Sequence, residues 1–245
     1  MRILITNDDG IAAPGLTVMK DIATAVAGPD GHVTTVAPAF EQSGVGHAIT
    51  YTRPMAIQQL GPDRYACDGS PADCVLAGIY EVLGGEKPDL ILSGVNRGNN
   101  SAENALYSGT LGAAIEGALQ GVPSLALSQF YGPRNRDLEN TFESSTQHGV
   151  ETVQRILAAL PEEADDSYRL FFNINFPPVP GAEVAGIRLA PQGMRPGVGF
   201  HTEPLTAPSG KSFLWVTGSN QQVQTAPGSD AASYVDGYVS VTPMR

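Results

Sequence analysis

The chain has 245 residues, 42% of them hydrophobic, and 25 acidic side chains against 14 Lys and Arg leave a formal net charge of −11. An acidic balance of this size excludes a long nucleic acid as partner, because phosphate backbones are held chiefly by Lys and Arg. Hydrophobic runs stop at Gly, Pro or charge well short of the roughly 18 residues a membrane span needs, and the N-terminus opens on a strand-like run with no basic and apolar leader, so the expectation is a globular cytoplasmic protein that makes no membrane contact.

Through the first three quarters of the chain, strand-like runs alternate with helix-length segments, the pattern of a mainly parallel sheet covered by helices. RILITN, from Arg2, predicts the first strand, and PGLTVMKDIATAVAG predicts a helix with Pro14 in its first turn and Gly28 at its end. HVTTVAP predicts the second strand, followed by the glycine-rich EQSGVGHAIT. From Ile49 to Cys67 the pattern alternates and turns at Gly61, Pro62 and Asp63, as a β-hairpin does. SPADCVLAGIYEVLGG predicts a capped helix, with Ser70 as N-cap, Pro71 first in the helix, Asp73 at the capping-box position and Gly84-Gly85 beyond the end.

PDLILSG predicts a third core strand leading into the loop VNRGNNSAEN. SGTLGAAIEGALQG predicts a helix starting at a Ser or Thr cap, PSLALSQF a strand, Leu138 to Leu160 a longer helix, and RLFFNINFP the last core strand. Beyond Pro177 the texture turns rich in Pro, Gly, Thr and Ser, and DAASYVDGYVSVTP closes the chain as a short helix and a strand. One domain is expected, with a Rossmann-like three-layer α/β core over residues 1–177 and a β-rich extension over 178–245 used for subunit contact rather than chemistry.

Ligands of open α/β sheets bind outside the carboxyl ends of the strands. Asp8 and Asp9 follow the first strand, Ser43 the second and Asn96 the third. Two carboxylates, a hydroxyl and an amide carbonyl are hard oxygen donors, which suit one Mg²⁺ or Mn²⁺ better than zinc. Asp9-Gly10 also reads as a hairpin turn, but that leaves Asp8 unexplained and needs a returning strand where a helix pattern follows. Ser108, Gly109 and Thr110 at a helix start offer N–H groups and the positive dipole end to a phosphate. Asn7, Gly44 and Arg97 flank the ligand set and complete the expected substrate contacts. Cys67 and Cys74 read as small buried thiols. His32, His47, His148 and His201 show no ligand spacing, and only His47 falls near the site. With no G-x-S-x-G elbow, Walker A motif or G-x-G-x-x-G after the first strand, acyl hydrolase, P-loop and dinucleotide-dehydrogenase chemistry lack support.

Six blocks, ILITNDDGIAAPG, EQSGVGHAIT, DGSPADCV, PDLILSGVNRG, YSGTLGAAIEGAL and GYVSVTP, resemble in order those of the SurE family (survival protein E), the metal-dependent 5'-nucleotidases. The resemblance implies that Asp8, Asp9, Ser43 and Asn96 bind one divalent cation. It also implies hydrolysis of nucleoside 5'- and 3'-monophosphates, trimming of short polyphosphate by some members, and homodimers or homotetramers built through the C-terminal extension. On this reading a water attacks phosphorus with Asp8 or Asp9 assisting. Two departures stand out: the family usually has His at Ala12, and Asp-Arg at Ala39-Phe40. The loss of a basic residue at Phe40 bears on substrate contacts and base preference. The rival readings are a catalytically weak nucleotide-binding protein and a signalling receiver domain; the latter needs an acceptor Asp where Asn96 stands, and about half this length.

Overall fold

Arg2–Thr6 forms β1, whose apolar run lies fully inside. A strand covered on both faces needs such a continuous run, and its alternation assigns the layers. Ile3 and Ile5 pack toward α1 (Pro14–Ala27) and α4 (Glu143–Ala159), while Leu4 packs toward α2 (Pro71–Ala77). On that second face α2 lies against α3 (Gly109–Leu119). In this computed structural model, which describes residues 1–160, 170–197, 199–223 and 225–245, the two helical layers enclose one nine-stranded sheet.

Its edge begins with β3 (Ile57–Gly61) and β4 (Arg64–Cys67), the expected hairpin. Next come β2 (His32–Pro38), β1, β5 (Leu90–Arg97), β6 (Ser124–Gln129) and β7 (Phe171–Phe176), and from β4 to β7 every pairing is parallel. The stretch beyond Pro177 divides. β11 (Tyr238–Met244) pairs antiparallel with β7, and β8 (Gly186–Leu189) then pairs parallel with β11, so both complete the main sheet. β9 (His201–Thr206) and β10 (Ser212–Thr217) form a separate hairpin with Leu214, Trp215 and Val216 exposed, and α5 (Asp230–Val235) precedes β11.

The caps follow the sequence. Ser70 Oγ accepts from the Asp73 N–H at 3.1 Å, and Asp73 returns a bond from the Ser70 N–H at 2.8 Å. Past Ala77 the helix widens into a π turn over Gly78–Val82. A Cβ at Gly78 would stand 2.7 Å from a Leu4 methyl, so the glycine lets this turn sit directly on the sheet.

Two boundaries differ from the sequence reading. α4 starts at Glu143 rather than Leu138, because the Asn140 side chain accepts from the Phe142 N–H at 2.9 Å and closes a local turn in place of helix. β5 runs on to Arg97, where the sequence places a loop after Gly94. Its pairing with β6 shifts between Ser93 and Asn96, and Gly94 takes a φ of 128° with no room for a Cβ, which would lie 2.2 Å from the Leu127 carbonyl oxygen. Arg169, the expected start of the last core strand, lies outside the described residues.

Candidate active site

From β1 the chain builds β2 on one side and later returns to place β5 on the other. This order reverses at β1, and such a switch point opens a crevice at the carboxyl ends of the strands. Asp8, Ser43, Asn96, Arg97 and Ser108 line one cleft there, of about 280 Å³, with Gly44 at its edge. Six of the sequence-selected residues thus share one cleft although they are spread over a hundred positions, while Asn7, Asp9, Gly109 and Thr110 stand beside it without lining it.

Asp8 is 3% exposed. Thr110 grips it twice, its hydroxyl donating to Oδ1 at 2.7 Å and its N–H to Oδ2 at 3.2 Å. Burial pushes the Asp8 carboxyl up to about 6, the Thr110 hydroxyl offsets part of this, and the neighbouring Asp9 charge adds to it. Asp9 is also raised, again by burial first; the Arg97 N–H, donating to its Oδ2 at 3.0 Å, and the Arg97 charge oppose this, and Glu41 reinforces it. Glu41 also accepts from Ser43 Oγ at 2.9 Å. Asn96 Nδ2 donates to the Gly98 carbonyl at 3.1 Å, which leaves Oδ1 without a hydrogen-bond partner among the described residues.

These features fit a hard divalent cation. Among the described residues no three His, Cys, Asp or Glu cluster as a metal site; a cation here would draw on a mixed set of two carboxylates and two neutral oxygens. Ser43 Oγ keeps its lone pairs because its proton is directed to Glu41, and Asn96 Oδ1, which carries no proton, is held in place by the Nδ2 bond to Gly98. The adjacent acids are held where their charges are disfavoured, and a dication relieves that disfavour.

Other expected contacts have different surroundings. Asn7 is enclosed and does not line the cleft; its Nδ2 donates to the Gly10 carbonyl at 2.8 Å, which closes the turn carrying both acids. At the start of α3, Ser108 Oγ caps the Leu111 N–H at 3.1 Å and Thr110 is committed to Asp8. The Gly109 N–H alone has no acceptor there among the described residues. His47 Nε2 meets Glu116 Oε2 at 2.8 Å, tying the Ser43 loop to α3. Ala12, Ala39 and Phe40, the departures from the family pattern, do not line the cleft.

Sequence reasoning missed Glu41 and the amide network behind Thr110. Asn100 Nδ2 donates to Thr110 Oγ1 at 3.3 Å and to Ser128 Oγ at 2.8 Å, while Asn175 and Asn173 hold the Asn100 backbone at 2.7 and 2.8 Å. The signal was the pair of asparagines two apart in an otherwise apolar core strand, which share one face.

Residues 3–197 match the family described as Survival protein SurE. The chain belongs to the SurE family. It is 68% identical to 5'-nucleotidase SurE of Roseobacter denitrificans and 63% identical to that of Ruegeria pomeroyi, in both cases over all of this chain and 94% of the relative. The crystal structure of the SurE protein from Aquifex aeolicus superposes with a TM-score of 0.81 at 34% identity, covering all of this chain and 93% of that one. The SurE likeness read from six short blocks thus extends over the α/β core and the C-terminal strands alike.

Proposed function

We propose that the chain is a phosphomonoesterase that hydrolyses nucleoside 5'-monophosphates to nucleoside and phosphate. The observation that carries this reading is Asp8, buried at the switch-point cleft beside the half-buried Asp9, with the start of α3 donating to it. Relatives named 5'-nucleotidase at 63% and 68% identity over the whole chain support it. Nucleoside 3'-monophosphates and the ends of short polyphosphates present the same phosphoryl group and are the secondary substrates.

Asp8, Asp9, Ser43 and Asn96 would hold one Mg²⁺ or Mn²⁺. When bound, the cation supplies positive charge against the phosphate oxygens and makes a nearby water more acidic. The Gly109 N–H and the dipole of α3 meet a phosphate oxygen, and Arg97 adds positive charge at the rim. Asp8 or Asp9 takes one proton of the attacking water as its oxygen bonds to phosphorus, the bond from phosphorus to the 5'-oxygen breaks, and the acid passes that proton to the 5'-oxygen, releasing nucleoside and phosphate and restoring the carboxylate. Because the protein is strongly acidic, a local positive field is what admits an anionic substrate.

Among the described residues no helix is long and apolar enough to cross a membrane. The buried, unpaired thiols of Cys67 and Cys74 support a reducing compartment, the cytoplasm. The exposed apolar strand Ser212–Thr217 supports a homodimer or homotetramer formed through the C-terminal part.

Phosphate release from AMP is measured with Mg²⁺, with Mn²⁺ and with EDTA. Release that needs the cation and stops with EDTA is expected. Release that is indifferent to EDTA overturns the site, and no release with either metal overturns the enzyme reading.

A further inference from the structure

Two aromatic rings at the mouth of the cleft have no part in the phosphate chemistry. Tyr107 and Phe200 meet edge to face, with centroids 5.0 Å apart and planes at 89°, and both are about half exposed at 49% and 53%. Half-exposed rings in edge-to-face contact at a cleft leave their remaining π surface in contact with water, which favours covering by a flat apolar ligand.

Their origins fix where such a ligand would lie. Tyr107 immediately precedes Ser108 and the start of α3, and its carbonyl accepts from the Gly46 N–H at 3.0 Å. The ring is therefore anchored both to the helix start that faces Asp8 and to the loop that carries Ser43. Phe200 comes from the far wall, one residue before β9. The hairpin that the sequence assigns to subunit contact thus lends a side chain to the cleft. Behind the rings a smaller recess is edged by Glu103, Asn104 and Gln221, where Asn104 Nδ2 donates to Gln221 Oε1 at 2.8 Å. The amides of that recess are committed to one another, Gln221 Nε2 donating to the Ser219 carbonyl, so it is the exposed aromatic faces that match a heteroaromatic base, which stacks through its π face.

We propose that Tyr107 and Phe200 form the nucleobase platform of the cleft, stacking the base of the nucleoside monophosphate whose phosphate lies at Asp8 and the start of α3. The proposal rests on the nucleotidase reading and deepens it by assigning substrate specificity to the root of the β9–β10 hairpin. Stacking is tolerant of base identity because every base has a π face, so the platform separates nucleotides from base-free phosphate esters more strongly than one base from another.

The test compares kcat/KM for AMP and for ribose 5-phosphate, which lacks the base, in wild type, Phe200→Ala, Phe200→Tyr and Tyr107→Leu. The AMP to ribose 5-phosphate ratio is expected to fall roughly tenfold in Phe200→Ala, mainly through KM for AMP. Phe200→Tyr restores the ratio, and Tyr107→Leu lowers it in the same way. Equal losses on both substrates, or a ratio unchanged from wild type, overturn the platform. Equal losses accompanied by a changed oligomeric state assign Phe200 to a subunit contact instead. A wild type that cleaves ribose 5-phosphate as well as AMP overturns the platform alone, whereas one that cleaves neither refutes the nucleotidase reading beneath it.

Discussion

Asp8→Asn is expected to abolish metal-dependent phosphate release, by on the order of a thousandfold, while making the metal-free protein more stable. The acid is enclosed, and burial lifts its carboxyl from 3.8 to about 6. Below pH 3.8 the side chain is neutral in both folded and unfolded chains and costs nothing. As pH rises toward 6 the unfolded chain ionises first, so stability falls through this window and levels off above it. Each pH unit of the interval is worth about 1.4 kcal/mol, which puts the full cost at roughly 3 kcal/mol at neutral pH. An amide removes that cost and still serves Thr110, its oxygen accepting from the N–H and its nitrogen donating to the hydroxyl. Denaturant melts in EDTA check the claim: Asp8→Asn gains stability over wild type at pH 7.5 and little at pH 4. A variant less stable than wild type at neutral pH contradicts it. The same titration makes metal affinity weaken below about pH 6, because the cation requires the ionised acid.

Gly109→Ala has the second largest expected effect, and it acts with no change of charge. A Cβ at this position would lie 2.9 Å from Asp8 Cβ and 3.2 Å from Asp8 Oδ2. Neither neighbour has room to yield, since Thr110 holds the carboxylate from one side and the Gln42 backbone oxygen lies 3.2 Å from the same Cβ on the other. Either Asp8 turns away from the cleft or the start of α3 retreats from Asp8. A shift of about 1 Å at a reacting centre costs about a hundredfold in rate, so kcat/KM for AMP should fall by that factor and Mn²⁺ affinity should fall with it. Wild-type kinetics in a normally folded Gly109→Ala protein contradict the close approach of helix and acid.

What was legible in the sequence is local chemistry. The run Ile3-Leu4-Ile5 before Asp8-Asp9, the Ser70–Asp73 capping box and the proline at the start of α1 are all decided within a few residues, and the structure has each in place. That Asp8, Ser43 and Asn96 share a cleft was also legible, because strand ends converge in a parallel sheet whatever the loops do. The role of Thr110 was not: the pattern SGT marks a helix start, but only the packing of α3 on β5 and β6 brings its donors to an acid at the end of β1. Asn96 as a strand residue depends on the register break against β6, which no local pattern carries. Phe200 reaches the cleft through a hairpin that is distant in sequence from the other cleft residues.

The most direct test of the central claim is anomalous diffraction from crystals grown with Mn²⁺. One peak per chain is expected, with oxygens of Asp8, Asp9, Ser43 and Asn96 within about 2.5 Å of it. A peak bound by other residues, or none at a Mn²⁺ concentration that supports turnover, would contradict the assignment of these four side chains as the cation site.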